Sequence, residues 1–341
     1  MYEYWKNKLN VSCQSLYDKM IYAFVNMNDC VSCDSYDVED IKNTYSAVCN
    51  DHPEFFYLSN RFELKRKVVA TFLSSTTLVV KFLYDKKQIQ IFNREIERIK
   101  LLFVENKQKG KDSLELEREI VDYCLQHFSY EVNNLYNQNA AALLVNNVGQ
   151  CSGIAKAVKL LLDSVSIPTI VVSGAVYNPK ISQYEPHAWN IVNIDGVAHH
   201  LDVTMMMGAN EVRCAPFFYT HFNLADEEII NNYSWDKFDV PQCVKRMSNQ
   251  NVKYSNEYQS NDFCGYFEVK SLIEFKQYLK ENILQGKYDI FVKNTIKGYS
   301  TDNLMKLYCS SIDTICKQIG FCGQYELSVL DNILEIKIYK V

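Results

Sequence analysis

Three side chains of this sequence could together carry out nucleophilic chemistry, namely Cys151, His187 and Asp202. A thiol is a good nucleophile only as its thiolate, and a neighbouring imidazolium stabilises that form. A carboxylate beside the imidazole fixes the tautomer of the ring and steadies its charge. The set therefore predicts a Cys-His-Asp triad that attacks a carbonyl carbon, with no metal ion and no organic cofactor required.

Cys151 stands at the start of a predicted helix, in the stretch VGQCSGIAKAVKLLLD of residues 148–163. A helix N-terminus carries roughly half a positive charge, and such a setting can lower a thiol pKa from ~8.5 to roughly 3.5–7.5. Gly149 is expected to allow a tight turn before the helix. The free N–H groups of the first turn, starting with that of Cys151, could hold an oxyanion. The second oxyanion donor has three candidates, which are Gln150, Gln138 and Asn139.

The segment HAWNIVNIDGVAHHLDVT, residues 187–204, predicts a β-hairpin around the Asp-Gly pair at 195–196. A two-residue Asp-Gly loop favours a type I′ turn, which requires positive φ at both positions. Counting outward from that turn places Trp189 opposite Asp202. Side chains two residues apart share a face, so His187 becomes a diagonal neighbour of Asp202, with Cα atoms about 7–8 Å apart. One hydrogen bond can close that gap.

Several neighbours are expected to support this triad from outside it. Trp189 should cover His187 and exclude water. Together with Gln150 and Gln138, it is expected to surround the catalytic residues or to contribute to the oxyanion site. His200 lies nearly opposite Ile191 and is interpreted as a packing or supporting polar residue.

Each of these residues also has a plain structural interpretation. Cys151 could be a small buried residue, since free cysteine often behaves as an apolar side chain. A zinc site is the main chemical alternative for a Cys, His and Asp set, but no second CxxC and no HxxxH pattern accompanies it. The single CxxC pair, Cys30 and Cys33, is interpreted as structural for the same reason.

Composition limits the class of protein. The chain has 341 residues, 48% apolar and 23% charged, and a net charge of -5, which argues against a nucleic-acid-binding surface. It has no run of 18 apolar residues and no signal-peptide pattern, so we expect no membrane segment and a cytoplasmic location. The 12 cysteines are then expected to be reduced thiols. The oligomeric state is left open.

The pattern of apolar residues predicts an α+β protein with three regions. Residues 1–110 are expected to form an N-terminal α+β region, and residues 111–245 a core in which the cysteine helix packs on an antiparallel sheet. Residues 250–341 are expected to form a small α/β domain that reads strand, helix, strand, helix, strand.

Two stretches together resemble a known family. GQCSGIAKAVKLLLDSVSIPTIVVSG followed by HAWNIV and HHLDVT is similar to the transglutaminase-like superfamily, a branch of the papain-like cysteine enzymes. The resemblance covers residues 112–243 well, 1–110 loosely and 250–341 not at all, and it is of the bacterial type. It places the family's nucleophile on Cys151, its histidine on His187 and its aspartate on Asp202. Where many members continue with a tryptophan and an acidic residue after LDVT, this chain has methionines at 205–207.

The residues and the resemblance imply acyl transfer on amide bonds of peptides or proteins. The acyl group would pass to water, as in a protease, amidase or deamidase, or to an amine, as in a cross-linking transferase. The alternative is a binding module that keeps the fold and recognises a protein or cell-wall peptide without turnover. A docking or regulatory role of residues 250–341 is a further hypothesis.

Overall fold

The computed structural model describes residues 2–69, 72–131, 135–178, 181–209, 219–244, 267–286, 288–294, 296, 301–321, 323–330 and 333–340. Two compact units divide the chain: the first draws on Met1–Arg213 and Thr220–Ser248, the second on Cys214–Tyr219 and Asn249–Val341. The predicted regions 1–110 and 111–245 contribute to the first unit, and a domain boundary between them stays a prediction.

The N-terminal part of the first unit combines three helices with a three-stranded sheet. The helices are α1 (Val11–Val25), α2 (Val38–Asp51) and α3 (Lys86–Gln108), and the strands are β1 (Cys30–Ser32), β2 (Leu58–Val69) and β3 (Phe72–Phe82). β3 lies between β1 and β2 and pairs antiparallel with both. Each helix begins after a polar residue whose side chain accepts a backbone N–H of the first turn, namely Asn10, Asp37 and Asp85.

The core of the first unit is a four-stranded antiparallel sheet with a buried helix against it. Its helices are α4 (Ser113–His127), α5 (Ala140–Asn146), α6 (Cys151–Ser164), α7 (Val203–Ala209) and α8 (Asp226–Ile229). Its strands are β4 (Ser129–Tyr130), β5 (Val148–Gly149), β6 (Thr169–Asn178), β7 (Gln183–Ile194), β8 (Val197–Leu201) and β9 (Tyr233–Ser234). The sheet has the order β8-β7-β6-β9. Helix α6 packs on β6 and β7, so the predicted cysteine helix on an antiparallel sheet is confirmed.

The β7–β8 hairpin has the register that the sequence predicts. Ile194 pairs with Val197, and the ladder keeps that register to the end of β8, where Asp202 follows directly. Asp195 and Gly196 have φ values of 51° and 89°, as a type I′ turn requires. The two-residue turn therefore fixes which residues of the two strands face each other.

A short segment after α7 extends the sheet behind this hairpin. His200 and Leu224 form an antiparallel bridge, with both backbone hydrogen bonds present. The backbone N–H of Asp202 donates to the carbonyl oxygen of His221 at 2.9 Å. The position of Asp202 thus depends on this returning segment as well as on β8.

The second unit is a small α/β structure. It contains β10 (Phe267–Val269), α9 (Leu272–Leu284), β11 (Asp289–Asn294), α10 (Thr301–Gln318), β12 (Gly323–Leu330) and β13 (Ile333–Lys340). The sheet order is β10-β11-β13-β12, with β10 and β11 parallel and the other pairs antiparallel. The predicted succession of elements is found, with β12 as an additional strand. Across the parts of both units that the structure describes, no helix has the length and apolar character needed to cross a membrane.

One buried carboxyl ties α4 to the segment behind Asp202. Glu117 Oε2 accepts a hydrogen bond from Asn223 Nδ2 at 2.7 Å. Glu117 Oε1 and Asn223 Oδ1 are both buried and have no other partner within the described residues. Burial raises the pKa of Glu117 to about 8. A protonated Glu117 that donates to Asn223 Oδ1 would satisfy both remaining oxygens, so we infer that this carboxyl is neutral at pH 7.

Glu117→Gln should therefore stabilise the protein at neutral pH. The folded-state pKa of Glu117 lies above its ordinary value, so ionisation destabilises the fold, and this loss grows as pH rises from about 4.5 to about 8. At pH 7 ionisation lowers the free energy of unfolding by about 3 kcal/mol. Glutamine keeps the shape, donates to Asn223 Oδ1 and does not ionise.

Urea unfolding followed by tryptophan fluorescence at pH 5 and pH 8 checks this. From pH 5 to pH 8, the urea concentration at the unfolding midpoint should decrease more for the wild type than for the Glu117→Gln variant. Glu105→Gln, an exposed change on α3, should leave the wild-type pH dependence in place. Equal pH dependence in all three proteins would show that Glu117 is not the titrating group.

Candidate functional site

Cys151 is the first residue of α6, and its surroundings leave backbone donors around the sulfur. The N-cap residue, Gln150, is extended, and the first intrahelical bond runs from Ile154 N to Gln150 O. The N–H groups that precede Ile154 in the helix therefore have no partner inside the helix. The backbone N–H groups of Ser152 and Ala188 face the thiol and lower its pKa. A negative charge on the sulfur would be stabilised by these donors.

Gly149 has a different role from the one the sequence suggests. Its φ is not positive, so a left-handed backbone conformation does not account for the glycine. Gly149 instead lies in the short strand β5, and a Cβ on it would come within 1.8 Å of Leu143 Cδ2. A larger residue there would force the Leu143 side chain to shift, because α5 packs against the backbone that leads into Cys151.

His187 and Asp202 are joined by a short hydrogen bond. His187 Nε2 and Asp202 Oδ2 lie 2.6 Å apart, and both side chains are buried. Asp202 Oδ2 also accepts from the Tyr233 hydroxyl at 2.8 Å, and Asp202 Oδ1 accepts from Met205 N at 3.0 Å. Three donors thus hold the carboxylate in place and compensate for its burial.

The same ring contacts Cys151 from its other side. Nε2 of His187 faces Asp202, which leaves Nδ1 for the hydrogen bond between His187 and the Cys151 thiol. The structure therefore brings together the three residues Cys151, His187 and Asp202. Cys151 is partly exposed, whereas His187 and Asp202 are only 8% and 3% exposed. A substrate from solvent would consequently meet the sulfur first.

Electrostatics favour a thiolate and an imidazolium. Burial alone would raise the pKa of the Cys151 thiol, but the hydrogen bond and charge of His187 outweigh it and lower that pKa. Burial alone would lower the pKa of His187, but the Asp202 carboxylate and the Cys151 sulfur raise it to about 10. The pKa of Asp202 is lowered in spite of burial, chiefly by the charge of His187. These directions favour an ion pair of Cys151 and His187 beside an ionised Asp202.

Trp189 stacks on His187, and its indole N–H already donates a hydrogen bond. The two rings are stacked, with centroids 6.0 Å apart and planes 17° apart. Trp189 Nε1 donates to His200 Nδ1 at 3.0 Å, and His200 Nε2 lies 2.8 Å from Asp226 Oδ1. Trp189 therefore packs beside the triad and has no hydrogen left for an oxyanion. Gly174, which pairs with His187, makes room for this indole, since a Cβ there would lie 2.8 Å from it.

His200, Asp226 and Cys243 form a group of metal-binding residue types. One ligand atom from each lies within 4.8 Å of the others. Because Trp189 Nε1 can only donate, the ring hydrogen of His200 must lie on Nε2, where it faces Asp226. A metal at Nε2 would need that hydrogen removed, which would leave an imidazolate. Burial and Asp226 also raise the pKa of the Cys243 thiol, so this group favours a hydrogen-bonded chain.

The three candidates for a second oxyanion donor lie near the site but differ in what they offer. Gln138 Nε2 donates to Gln150 Oε1 at 3.1 Å. Asn139 caps α5 through Oδ1, and its Nδ2 donates to the carbonyl oxygen of Tyr136. The amide of Asn139 is thus engaged at both ends, whereas no hydrogen bond within the described residues uses Gln150 Nε2.

Sequence reasoning missed two contributors to the site. Tyr233, on the edge strand β9, donates to Asp202, and Asp226 orients His200. Both belong to the stretch after the aspartate, and their only sequence signal was the position of that stretch. Of the methionines at 205–207, Met206 is buried and Met205 supplies a backbone donor to Asp202.

Comparisons with known proteins agree with the resemblance seen in the sequence. Residues 103–200 match the family model described as Transglutaminase-like superfamily. The central part of the chain thus has a transglutaminase-like core. No curated protein matches the chain.

Three solved structures are similar to parts of the chain. A proposed cysteine protease from Cytophaga hutchinsonii has 14% identity and a TM-score of 0.28, over 42% of this chain and 62% of that one. The periplasmic domain of TgpA from Pseudomonas aeruginosa has 17% identity and a TM-score of 0.27, over 40% of this chain and 56% of that one. A TGase has 13% identity and a TM-score of 0.31, over 67% of this chain and 65% of that one. This chain spans less than two thirds of each of the three.

Replacing the aspartate should weaken the thiolate. In Asp202→Asn the imidazolium loses its anionic partner, so the pKa of His187 falls and the pKa of Cys151 rises. A thiol with a lowered pKa reacts above that pKa, so the pH midpoint of iodoacetamide alkylation should move upward toward ~8.5. Once the midpoint lies above pH 6, the alkylation rate at pH 6 should fall about tenfold for each further unit of rise.

The rate is measured at Cys151 by mass spectrometry of the alkylated peptide between pH 4 and pH 9. Asp18→Asn, which removes an exposed carboxylate, serves as the matched control and should keep the wild-type midpoint. A wild-type midpoint near that of a free thiol, unchanged in Asp202→Asn, would contradict the ion pair.

Proposed function

We propose that the transglutaminase-like core of this chain catalyses cysteine-dependent acyl transfer on amide bonds of peptides or proteins. The observation that supports this most is one hydrogen-bonded series, in which Asp202 contacts His187 at 2.6 Å and His187 contacts the Cys151 thiol. The thiol stands at the start of a helix, where it is partly exposed to solvent. A merely structural cysteine would not need an oriented imidazolium at its side.

In the acylation step Cys151 Sγ attacks the amide carbonyl carbon, and the carbonyl electrons move to oxygen. The backbone N–H of Cys151 is suited to receive this oxyanion because it has no partner inside the helix. When the intermediate collapses, the C–N bond breaks and the leaving nitrogen takes the proton from His187 Nδ1. The products are a free amine, a thioester on Cys151 and a neutral imidazole.

In the second step the imidazole acts as a base. Water or a primary amine gives a proton to His187 Nδ1 while it attacks the thioester carbonyl carbon. The C–S bond then breaks, and the thiolate and imidazolium are restored. Asp202, held by Tyr233 and Met205, keeps Nε2 protonated throughout and stabilises the imidazolium in both steps.

The residues beside the sulfur give the substrate side of the site a polar, aromatic character. Tyr130 is 49% exposed, and its pKa is raised by burial and by the nearby Cys151 and Glu185. Glu185 lies two residues before His187 on β7 and accepts from Asn178 Nδ2 at 2.7 Å. Polar and aromatic residues of this kind are compatible with a peptide chain that lies across the sulfur.

Turnover of a peptide library, with and without an added primary amine, tests the proposed function. The wild type should release acid products in water and amide products in amine, in proportion to the amine concentration, because both arise from one thioester. Cys151→Ala should lower both by at least ~1000-fold, since the nucleophile is removed. Mass spectrometry of the products provides the readout.

Cys30→Ala, at an exposed thiol, is the matched control and should retain full turnover. Full turnover by Cys151→Ala would contradict the proposal. Absence of turnover together with slow alkylation of Cys151 in the wild type would favour the binding module instead.

A further inference from the structure

A chain of three hydrogen bonds leads from a buried lysine to the residue before Cys151. Lys156 Nζ donates to Asn60 Oδ1 at 3.3 Å, Asn60 Nδ2 donates to Gln138 Oε1 at 2.6 Å, and Gln138 Nε2 donates to Gln150 Oε1 at 3.1 Å. Lys156 is on α6 and is only 8% exposed. Asn60 comes from β2 and Gln138 from the short 3-10 helix Leu135–Gln138. Three separate segments are thus linked to Gln150, the residue before Cys151.

Every bond in this chain runs in the same direction. Asn60 presents its oxygen to Lys156 and its NH2 to Gln138. Gln138 must then present its oxygen to Asn60 and its NH2 to Gln150. Gln150 in turn accepts through Oε1, which turns its own NH2 group away from Gln138. All three amides are thus oriented in series by hydrogen bonds.

We propose that this chain makes the side-chain NH2 of Gln150 the second oxyanion donor, with Gln138, Asn60 and Lys156 as positioning residues. The inference rests on the proposed acyl transfer at Cys151. Gln150 directly precedes Cys151 and caps the helix through backbone atoms only, so its side chain is free of capping. The backbone N–H of Cys151 and the amide of Gln150 then supply the two donors that a tetrahedral oxyanion requires.

The two rival side chains near the site are engaged elsewhere. Trp189 Nε1 donates to His200, and Asn139 Nδ2 donates to the carbonyl oxygen of Tyr136. A series of hydrogen bonds in one direction polarises each amide along it, which strengthens the last N–H donor.

Two small probes separate oxyanion stabilisation from the state of the triad. Acylation of Cys151 by p-nitrophenyl acetate passes through a tetrahedral oxyanion, and the burst of p-nitrophenol reports its rate. Alkylation by iodoacetamide needs the same thiolate but forms no oxyanion. The ratio of the two rates, measured at a pH above the alkylation midpoint, therefore reports the oxyanion donors alone.

Gln150→Leu should lower the ratio of acylation to alkylation roughly 100-fold, the usual effect of losing one oxyanion donor. Gln138→Glu should lower it to a similar extent, because the introduced carboxylate accepts from the NH2 of Gln150 and draws it away from the oxyanion. Gln138→Met, which only releases Gln150, should have a smaller effect. A merely structural role of Gln138 predicts the reverse order, since glutamate resembles glutamine more than methionine does.

The double variant Gln150→Leu with Gln138→Glu should be no slower than Gln150→Leu alone, because both changes remove the same donor. A ratio within about twofold of the wild type in Gln150→Leu would overturn the inference. So would additive losses in the double variant, since they would indicate independent effects. A burst that persists in Cys151→Ala would overturn the proposed function itself. Loss of the burst in Cys151→Ala, together with an unchanged ratio in Gln150→Leu, would overturn only the role of Gln150.

Discussion

The hydrogen bond between His187 and Asp202 is the interaction on which the rest of the site depends. It places an ionised carboxylate in a buried position, where the loss of water would be costly without donors to replace it. The protein supplies them from three elements: the ring of His187 on β7, the backbone of Met205 at the start of α7 and the hydroxyl of Tyr233 on β9. The imidazolium that results can stabilise a thiolate on Cys151.

Near this bond, hydrogen bonds between side chains hold neighbouring polar groups in one orientation. The indole N–H of Trp189 fixes the tautomer of His200, and Lys156 Nζ donates to Asn60, whose NH2 donates to Gln138. Groups determined in this way keep one arrangement, which a catalytic site needs if its geometry is to be in place before the substrate arrives. The second unit has an apolar core of its own.

Local patterns were sufficient to predict the central geometry. The Asp-Gly turn at 195–196 fixed the register, and the alternation of side chains then made His187 and Asp202 neighbours. The helix that begins at Cys151 was evident from its apolar periodicity. These features depend on residues close together in sequence, where turn chemistry and period leave few alternatives.

Contacts between distant segments could not be predicted in the same way. Tyr233 and Asn60 reach the site from an edge strand and from the N-terminal sheet, and no spacing in the sequence relates either to Cys151. Gly149 was expected to serve a turn, and no spacing in the sequence indicated that the Leu143 side chain packs against it. The additional strand β12 was missed because its partner β13 gave the stronger alternating pattern.

The protonation state of His187 tests the central claim most directly. Nitrogen-15 NMR of the histidine rings, with His187 assigned by comparison with a His187→Gln variant, gives the charge on each of the 6 histidines. The raised pKa of about 10 predicts that both ring nitrogens of His187 carry hydrogen at pH 8. A neutral His187 ring at pH 8, with one nitrogen unprotonated, would contradict the ion pair and the mechanism built on it.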